Sequence, residues 1–347
     1  MSESNDAMCA YLSNKDIFAD FFNGVLFEGH QEIKGENLEL HDKEYYGRKK
    51  SGHVTVPYRR RDVLMQDRNG TGYVVIGLES QNLVHYGMPV RCLDYDAREY
   101  SRQMAALQKT NRAMAKEQTN FWDNAGEFLS NLRKDDKLNP VVTVTFFHGI
   151  GEYDGCTELH NMLNWNQENQ KYKPFVCNYR MNLVTLLDIS EEKFRTGLRD
   201  LIGIMKRSED KNAMETYCME NEERFRNLDV ETYETICTLI KQQDFMKYQK
   251  SCKNETGGID MCKAFMDMKE EAMNKGISQG ISQGISQGIS QGISQGINQG
   301  INQGINQGVE LINKLINHLL ADNRIEDLAR SASDAEYQKL LCEEYNL

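Results

Sequence analysis

Apolar residues recur at two different spacings in the N-terminal part of the chain. Between Ser13 and Gly29 they follow one another at three- and four-residue intervals. This spacing predicts an amphipathic helix that Ser13 or Asn14 caps and Gly29 ends. The segment 54–80 is rich in apolar and β-branched residues on both sides of the turn-forming sequence DRNGTG, and it predicts an antiparallel hairpin.

Beyond the hairpin, helical patterns alternate with two continuous apolar runs. Residues 88–118 show a helical pattern with a polar face, and residues 191–274 are again helical in pattern. The sequence VVTVTFFHG after Pro140 and the sequence NLVTLLDIS at 182–190 are typical of buried strands. We therefore predict an α/β fold with a helical C-terminal region.

A four-residue repeat occupies Gly276 to Gly308. The units GISQ and then GINQ place nine glycines at every fourth position, and eight of these glycines are followed by an isoleucine. In a helix this isoleucine stripe would drift by about 40° per repeat, because four residues exceed one turn of 3.6. Three explanations stay open: a flexible linker, a stripe that winds against a second copy, and neutral expansion of the tetrapeptide. Our hypothesis is that residues 276–347 mediate self-association.

The composition of the 347-residue chain narrows the classes of function. A formal net charge of -11 argues against general adhesion to nucleic acid or anionic membrane, although eight basic residues lie between Lys43 and Arg68. The nine cysteines form no CxxC pair, the N-terminus lacks a secretory-signal pattern, and no apolar run approaches the roughly 20 residues of a membrane span. We expect a cytoplasmic protein with reduced thiols and no membrane partner.

Two carboxylates and an amide lie at the predicted ends of the hairpin strands. With a turn near residue 70, Asp62 falls opposite or nearly opposite Glu79, and Gln81 lies on the same strand face as Glu79. Facing carboxylates repel unless a cation lies between them, and Mg²⁺ binds one or two protein carboxylates together with water and phosphate oxygens. The alternative is that Asp62 and Glu79 are exposed strand ends paired with the adjacent arginines 59–61.

The order of several motifs resembles one nuclease family. RRDVLMQ followed by GYVVIGLESQ resembles the core of PD-(D/E)XK nucleases, and more closely the recombination-promoting nuclease (Rpn) family, also called PD-(D/E)XK nuclease family transposases or YhgA-like transposases. Further segments resemble that family in the same order: DIFADFFNGVLFEG, MPVRCLDYDAREYSRQM, NPVVTVTFFHG and GGIDMCKAF. The resemblance implies a restriction-endonuclease-like core, in which helices flank a mixed central sheet.

For the site, the resemblance implies that Asp62 and Glu79 hold Mg²⁺. Gln81 stands where the superfamily commonly has lysine, so it could orient water or phosphate through hydrogen bonds but could not supply positive charge. Asp16 or Asp20 on the first helix would be a further metal contact, unless both are solvated residues of a helix face.

Arginines are the predicted contacts to DNA. Arg59, Arg60 and Arg61 could bind phosphates or simply keep the hairpin soluble. Arg91, after the sequence MPV, could bind phosphate or pair with Asp94.

We therefore expect a metal-dependent DNA endonuclease that promotes recombination. The alternative is a catalytically weak nuclease fold that acts as a DNA-binding or self-assembly module. Coordinated strand transfer is less favoured, because no RNase-H-like acidic triad is evident, and P-loop and HExxH motifs are absent. His148 follows a predicted buried strand and is interpreted as a hydrogen-bonded residue at the core edge. The predicted segments are a PD-(D/E)XK nuclease-like domain (1–210), a helical region (211–275), the tetrapeptide repeat (276–308) and a C-terminal helical segment (309–347).

Overall fold

The computed structural model describes residues 3–40, 62–69, 72–241 and 244–347. Its internal contacts divide the chain into two units, Met1–Met268 (unit 1) and Lys269–Leu347 (unit 2). The predicted domain boundary at residue 210 falls inside unit 1.

Unit 1 contains a five-stranded mixed sheet in the order β1-β2-β3-β4-β5. Strand β2 is antiparallel to both of its neighbours, β1 and β3, whereas β3, β4 and β5 are parallel. This mixed sheet with its flanking helices confirms the predicted α/β class. The β2–β3 pair corresponds to the hairpin predicted over 54–80, of which residues 54–61, 70 and 71 lie outside the described residues. The strands are β1 (Leu38–Leu40), β2 (Val63–Asn69), β3 (Gly72–Gln81), β4 (Val141–Phe147) and β5 (Asn182–Thr185).

Helices account for most of the remaining described residues. The predicted first helix is α2, which begins after Asn14; the side chain of Asn14 accepts a hydrogen bond from the Asp16 N–H at 3.1 Å. Gly29, at φ +87°, closes the turn after it. The helices of unit 1 are α1 (Glu3–Tyr11), α2 (Lys15–Leu26), α3 (Met88–Glu117), α4 (Ala125–Ser130), α5 (Leu198–Met205), α6 (Lys211–Glu220), α7 (Glu222–Phe225), α8 (Val230–Leu239) and α9 (Asp244–Tyr248).

The hydrophobic core of unit 1 lies between the sheet and these helices. Phe18, Phe21 and Phe22 of α2 are fully buried, and the rings of Phe21 and Phe146 of β4 are 5.0 Å apart. The same core includes residues from Met214 to Phe265. The region predicted as a separate helical segment (211–275) therefore contributes to the core of the sheet-containing unit.

In unit 2 the tetrapeptide repeat is α-helical throughout. It forms part of α10 (Met261–Ala321), which is followed by α11 (Ile325–Ser331) and α12 (Ala335–Glu344). Leu315 and Leu319 of α10 pack with Leu341 of α12 in a small apolar cluster. The eight isoleucines of the repeat remain 49–58% exposed. Among the helices of the described residues, none is both long enough and apolar enough to cross a membrane.

Candidate functional site

The hairpin brings Asp62 and Glu79 to the same place. In the β2–β3 register Val63 pairs with Leu78, so one further step places Asp62 opposite Glu79. The N–H of Ser80 donates a hydrogen bond to Asp62 Oδ2 at 2.7 Å, which ties Asp62 to the residue after Glu79. Glu79 is 0% exposed and Asp62 is 8% exposed. The two carboxylates are therefore buried, and the alternative of exposed strand ends is wrong.

Glu79 lies near the carboxyl end of the central strand of the sheet. The four residues before it, Val75 to Leu78, are all buried, and three of them are apolar side chains. The strand therefore carries the Glu79 carboxylate into the interior. Glu79 is in register with Thr145 of the parallel strand β4, and the Thr145 hydroxyl lies 3.4 Å from the Cys92 sulfur of α3. Carboxyl ends of parallel strands are where ligands bind in open α/β sheets.

Arg91, on the first turn of α3, provides a cation for this carboxylate. Its Nη2 lies 2.9 Å from Glu79 Oε2, and its Nε donates a hydrogen bond to the Tyr95 hydroxyl at 2.9 Å. The sequence left open whether Arg91 pairs with Asp94, but the structure pairs Asp94 with Arg98 at 2.9 Å. The partner of Arg91 is thus the predicted metal ligand.

Electrostatic effects join these side chains into one group. Burial is the largest single effect and lowers the pKa of Arg91, but Glu79, Tyr95 and Asp62 together outweigh it, so the net shift is upward and the guanidinium stays charged. Burial, followed by the charge of Glu79, raises the pKa of Tyr95 to about 12, so its hydroxyl stays protonated. Asp62 raises both pKa values further. We call Asp62, Glu79, Arg91 and Tyr95 the strand-end cluster.

Gln81 and His148 lie beside this cluster. Gln81 is half-buried, shares the strand face of Glu79, and accepts the His148 N–H at its backbone oxygen at 2.8 Å. His148 is buried, its Nε2 lies 3.0 Å from Asn5 Oδ1, and burial lowers its pKa to about 4. His148 is therefore a neutral, hydrogen-bonded residue at the core edge, as the sequence predicted.

Asp16 and Asp20 on α2 have different environments. Asp16 is exposed, as its interpretation as a solvated residue requires. Asp20 is 3% exposed, so that interpretation is wrong for it. It accepts hydrogen bonds from the N–H groups of Arg195 and Thr196 at 2.9 and 2.8 Å, and from the Thr196 hydroxyl at 2.7 Å. Asp20 thereby fastens the segment before α5 to α2.

The three hairpin arginines predicted to contact DNA, Arg59, Arg60 and Arg61, lie outside the described residues. Their role stays a prediction.

Comparisons of the chain with protein-family models, curated proteins and solved structures give no match. The resemblance to a nuclease family therefore rests on the order of the sequence motifs, and the site is argued from its own geometry.

The strand-end cluster has the donor chemistry of a magnesium site. Two buried carboxylates at facing strand positions supply the hard oxygen ligands that Mg²⁺ prefers. Within the described ranges, no three His, Cys, Asp or Glu side chains form a metal-binding group. Here a metal ion would have two protein carboxylates, with water and phosphate completing its shell. One Glu79 oxygen contacts Arg91. The residues therefore fit Mg²⁺ if the ion pair between Arg91 and Glu79 breaks when the metal ion binds.

Sequence reasoning missed Tyr95 as part of the site. Its sequence signal is the four-residue spacing from Arg91, which places both side chains on one face of α3. That signal carries weight only when Arg91 is known to lie against β3.

Proposed function

We propose that the chain is a Mg²⁺-dependent DNA endonuclease with a PD-(D/E)XK core. The supporting observation is the buried pair Asp62 and Glu79, which face each other at the end of an antiparallel hairpin whose second strand continues into a parallel sheet. The motif order implies the same arrangement. A buried pair of carboxylates is costly in a purely structural role, which favours a functional one.

In this proposal each residue of the site has a distinct task. Asp62 and Glu79 would hold Mg²⁺, which neutralises phosphate charge and lowers the pKa of a bound water. Gln81 would orient the attacking water through its amide. Arg91, whose side chain is 25% exposed, would contact a phosphate of the DNA, as would arginines 59–61. Tyr95, protonated at physiological pH, would hold Arg91 in place by its hydroxyl.

By analogy with the family that the motifs resemble, the products would be 3′-hydroxyl and 5′-phosphate ends, and the cleavage would promote recombination. We place this activity in the cytoplasm. All nine cysteines fall within the described residues and none forms a disulfide there, which fits a compartment that keeps thiols reduced.

Cleavage of supercoiled plasmid by the purified full-length chain tests the proposal. We expect Mg²⁺-dependent nicking or linearisation that EDTA stops and that Asp62→Ala abolishes. Binding of the plasmid without cleavage by the wild-type protein would instead favour the alternative of a DNA-binding module with a nuclease fold. Cleavage by Asp62→Ala at the wild-type rate would remove Asp62 from the site.

The repeat helix supports a second proposal, namely self-association through residues 276–347. Its isoleucines are about half exposed, and a Cβ added to any of its nine glycines would meet nothing within 4 Å. In a helix, glycine lowers stability by roughly 0.8–1 kcal/mol relative to alanine. No neighbouring atom of the chain excludes a side chain at these glycine positions. A second copy, whose backbone could approach closely at the glycines and cover the isoleucines, would account for both residues.

Sedimentation of the full chain and of a chain truncated after Lys275 tests this second proposal. We expect the full chain to sediment as a dimer or larger species at micromolar concentration, and the truncated chain to be monomeric. If both are monomers, the repeat is a spacer and the self-association proposal is wrong. That result would leave the nuclease proposal intact, because the two proposals rest on different units.

A further inference from the structure

The position of Arg91 is electrostatically unusual. It lies in the first turn of α3, three residues after the helix begins at Met88, and its N–H bonds to the carbonyl of Gly87. The N-terminus of a helix carries partial positive charge, which disfavours a cation there. Negative charge nearby must compensate, and Glu79, 2.9 Å from Arg91 Nη2, provides it.

We propose that Arg91 is a latch on the metal site: its guanidinium pairs with Glu79 until a divalent metal ion displaces it. This inference rests on the proposed function, because it concerns the same two carboxylates. It adds that metal binding is an exchange of one cation for another.

Arg91 is held by specific contacts and is also partly exposed to solvent. Its Nε donates to the hydroxyl of Tyr95, which is 0% exposed, so the guanidinium is fixed by a rigid acceptor as well as by Glu79. A quarter of the Arg91 side chain is nevertheless exposed. The guanidinium can therefore swing towards solvent by side-chain rotation, without unwinding α3.

The charge of the site explains why a metal ion could take the place of Arg91. Glu79 is fully buried and Asp62 almost so, and buried carboxylates are strongly destabilising without a nearby cation. Arg91 stabilises the empty site, and a metal ion would take over that role when it binds. Because only the unlatched fraction of the protein can bind metal, the latch lowers the apparent affinity by that fraction. Once displaced, Arg91 is available for a phosphate of the DNA.

Binding of Mn²⁺ alone to the full-length protein, followed by electron paramagnetic resonance of the free ion, tests the latch without cleavage. Arg91→Gln should bind Mn²⁺ about tenfold more tightly than the wild type, within the usual range of coupling between two sites. Arg98→Gln is the matched control, because Arg98 lies on the same helix and pairs with Asp94 instead. It should leave the Mn²⁺ affinity unchanged, whereas Glu79→Gln should weaken binding.

Thermal melting provides a second readout on the same proteins. Without metal, Arg91→Gln should melt below the wild type, because its carboxylates have lost a cation. Mn²⁺ should raise its melting temperature more than that of the wild type. If Arg91→Gln does not fold, Arg91→Lys replaces it, since lysine keeps the charge but cannot contact Glu79 and Tyr95 with a planar group; its Mn²⁺ affinity should still exceed that of the wild type.

Two results would overturn the latch, and they are distinguishable. If Glu79→Gln weakens Mn²⁺ binding but the folded Arg91 variant binds no more tightly than the wild type, the metal site stands and the latch is wrong. If no protein of the series binds Mn²⁺, and Glu79→Gln cleaves plasmid like the wild type, the latch is wrong and the nuclease proposal loses its metal site.

Discussion

The strand-end cluster of unit 1 places three different side chains around the buried carboxylate of Glu79, whereas the repeat of unit 2 presents the same few residues many times on an exposed helix. In the cluster each residue makes contacts that no other residue can replace, so a single substitution should have a large effect. In the repeat each glycine and isoleucine has an equivalent neighbour one unit away, so the effect of one substitution should be small. The function that we propose for unit 1 would thus depend on a few atoms, whereas the one that we propose for unit 2 would be distributed along a helix.

The largest effect is expected from Glu79→Gln. Loss of the charged ligand should reduce plasmid cleavage by at least about 100-fold, since even residues that only orient metal ligands are worth 10- to 100-fold. Glu99→Gln is the control, because Glu99 is also fully buried and also paired with an arginine, Arg102, at 2.7 Å. It should still cleave. Equal loss in both variants would indicate a general cost of neutralising buried glutamates rather than a site at Glu79.

The pH dependence of stability should also differ between the two regions. His148 is expected to have a pKa near 6.5 in the unfolded chain, whereas burial lowers its pKa to about 4 in the folded protein. As the pH falls from about 6.5 to about 4, the unfolded chain therefore takes up a proton that the folded protein does not, and stability is lost. The loss should reach about 3 kcal/mol.

Urea unfolding of the wild type and of His148→Gln between pH 4 and pH 7 measures this loss. Carboxylates titrate in the same window, so the difference between the two proteins isolates His148. The variant should lose less stability over the window, and parallel curves would contradict the assignment. The repeat, from Gly276 to Gly308, contains no titratable side chain and should contribute nothing to either slope.

Replacing glycines of the repeat by alanine tests whether the effects in unit 2 are small and distributed. Gly292→Ala should stabilise the helix by about 0.8–1 kcal/mol, because its Cβ meets no other atom of the chain. Its effect on self-association should be small, whereas the triple replacement of Gly288, Gly292 and Gly296 should weaken association by separating the backbones. Circular dichroism and sedimentation of the same samples measure both. A triple variant that associates as strongly as the wild type would show that isoleucines alone form the interface.

The smallest effect is expected from Gln81→Lys. The change introduces the residue common in the superfamily that the motifs resemble, and lysine is compatible with the same water and phosphate. Plasmid cleavage should be retained or raised. A well-folded Gln81→Lys protein without activity would contradict the role that we propose for Gln81 in the cluster.

Local sequence patterns predicted much of unit 1. The alternation of apolar residues and the turn near residue 70 were enough to pair Asp62 with Glu79, because the register of a hairpin follows from its turn. The cap at Asn14 and the extent of α3 were likewise local properties. By contrast, the pairing of Arg91 with Glu79 depends on how α3 packs against the sheet, which no periodicity encodes.

Two other differences have similar physical causes. The apolar run 182–190 predicts a longer strand than β5, which ends at Thr185, where the Thr185 hydroxyl donates to Asp188 and a turn begins. Residues 211–275 look like a separate helical region in sequence, since amphipathic helices do not reveal which core they cover. In the structure they share the core of the sheet.

The repeat also has a genetic consequence. One unit is encoded by twelve nucleotides, so gain or loss of a unit keeps the reading frame. Because the repeat is one uninterrupted helix, each added unit would lengthen it by about 6 Å and turn the helix beyond it by about 40°. The apolar cluster of unit 2 starts at Leu315, after the repeat, and would keep all of its contacts. Repeat number can therefore vary among otherwise identical chains without a cost to the packing of that cluster, and it would change only the length and phase of the exposed stripe.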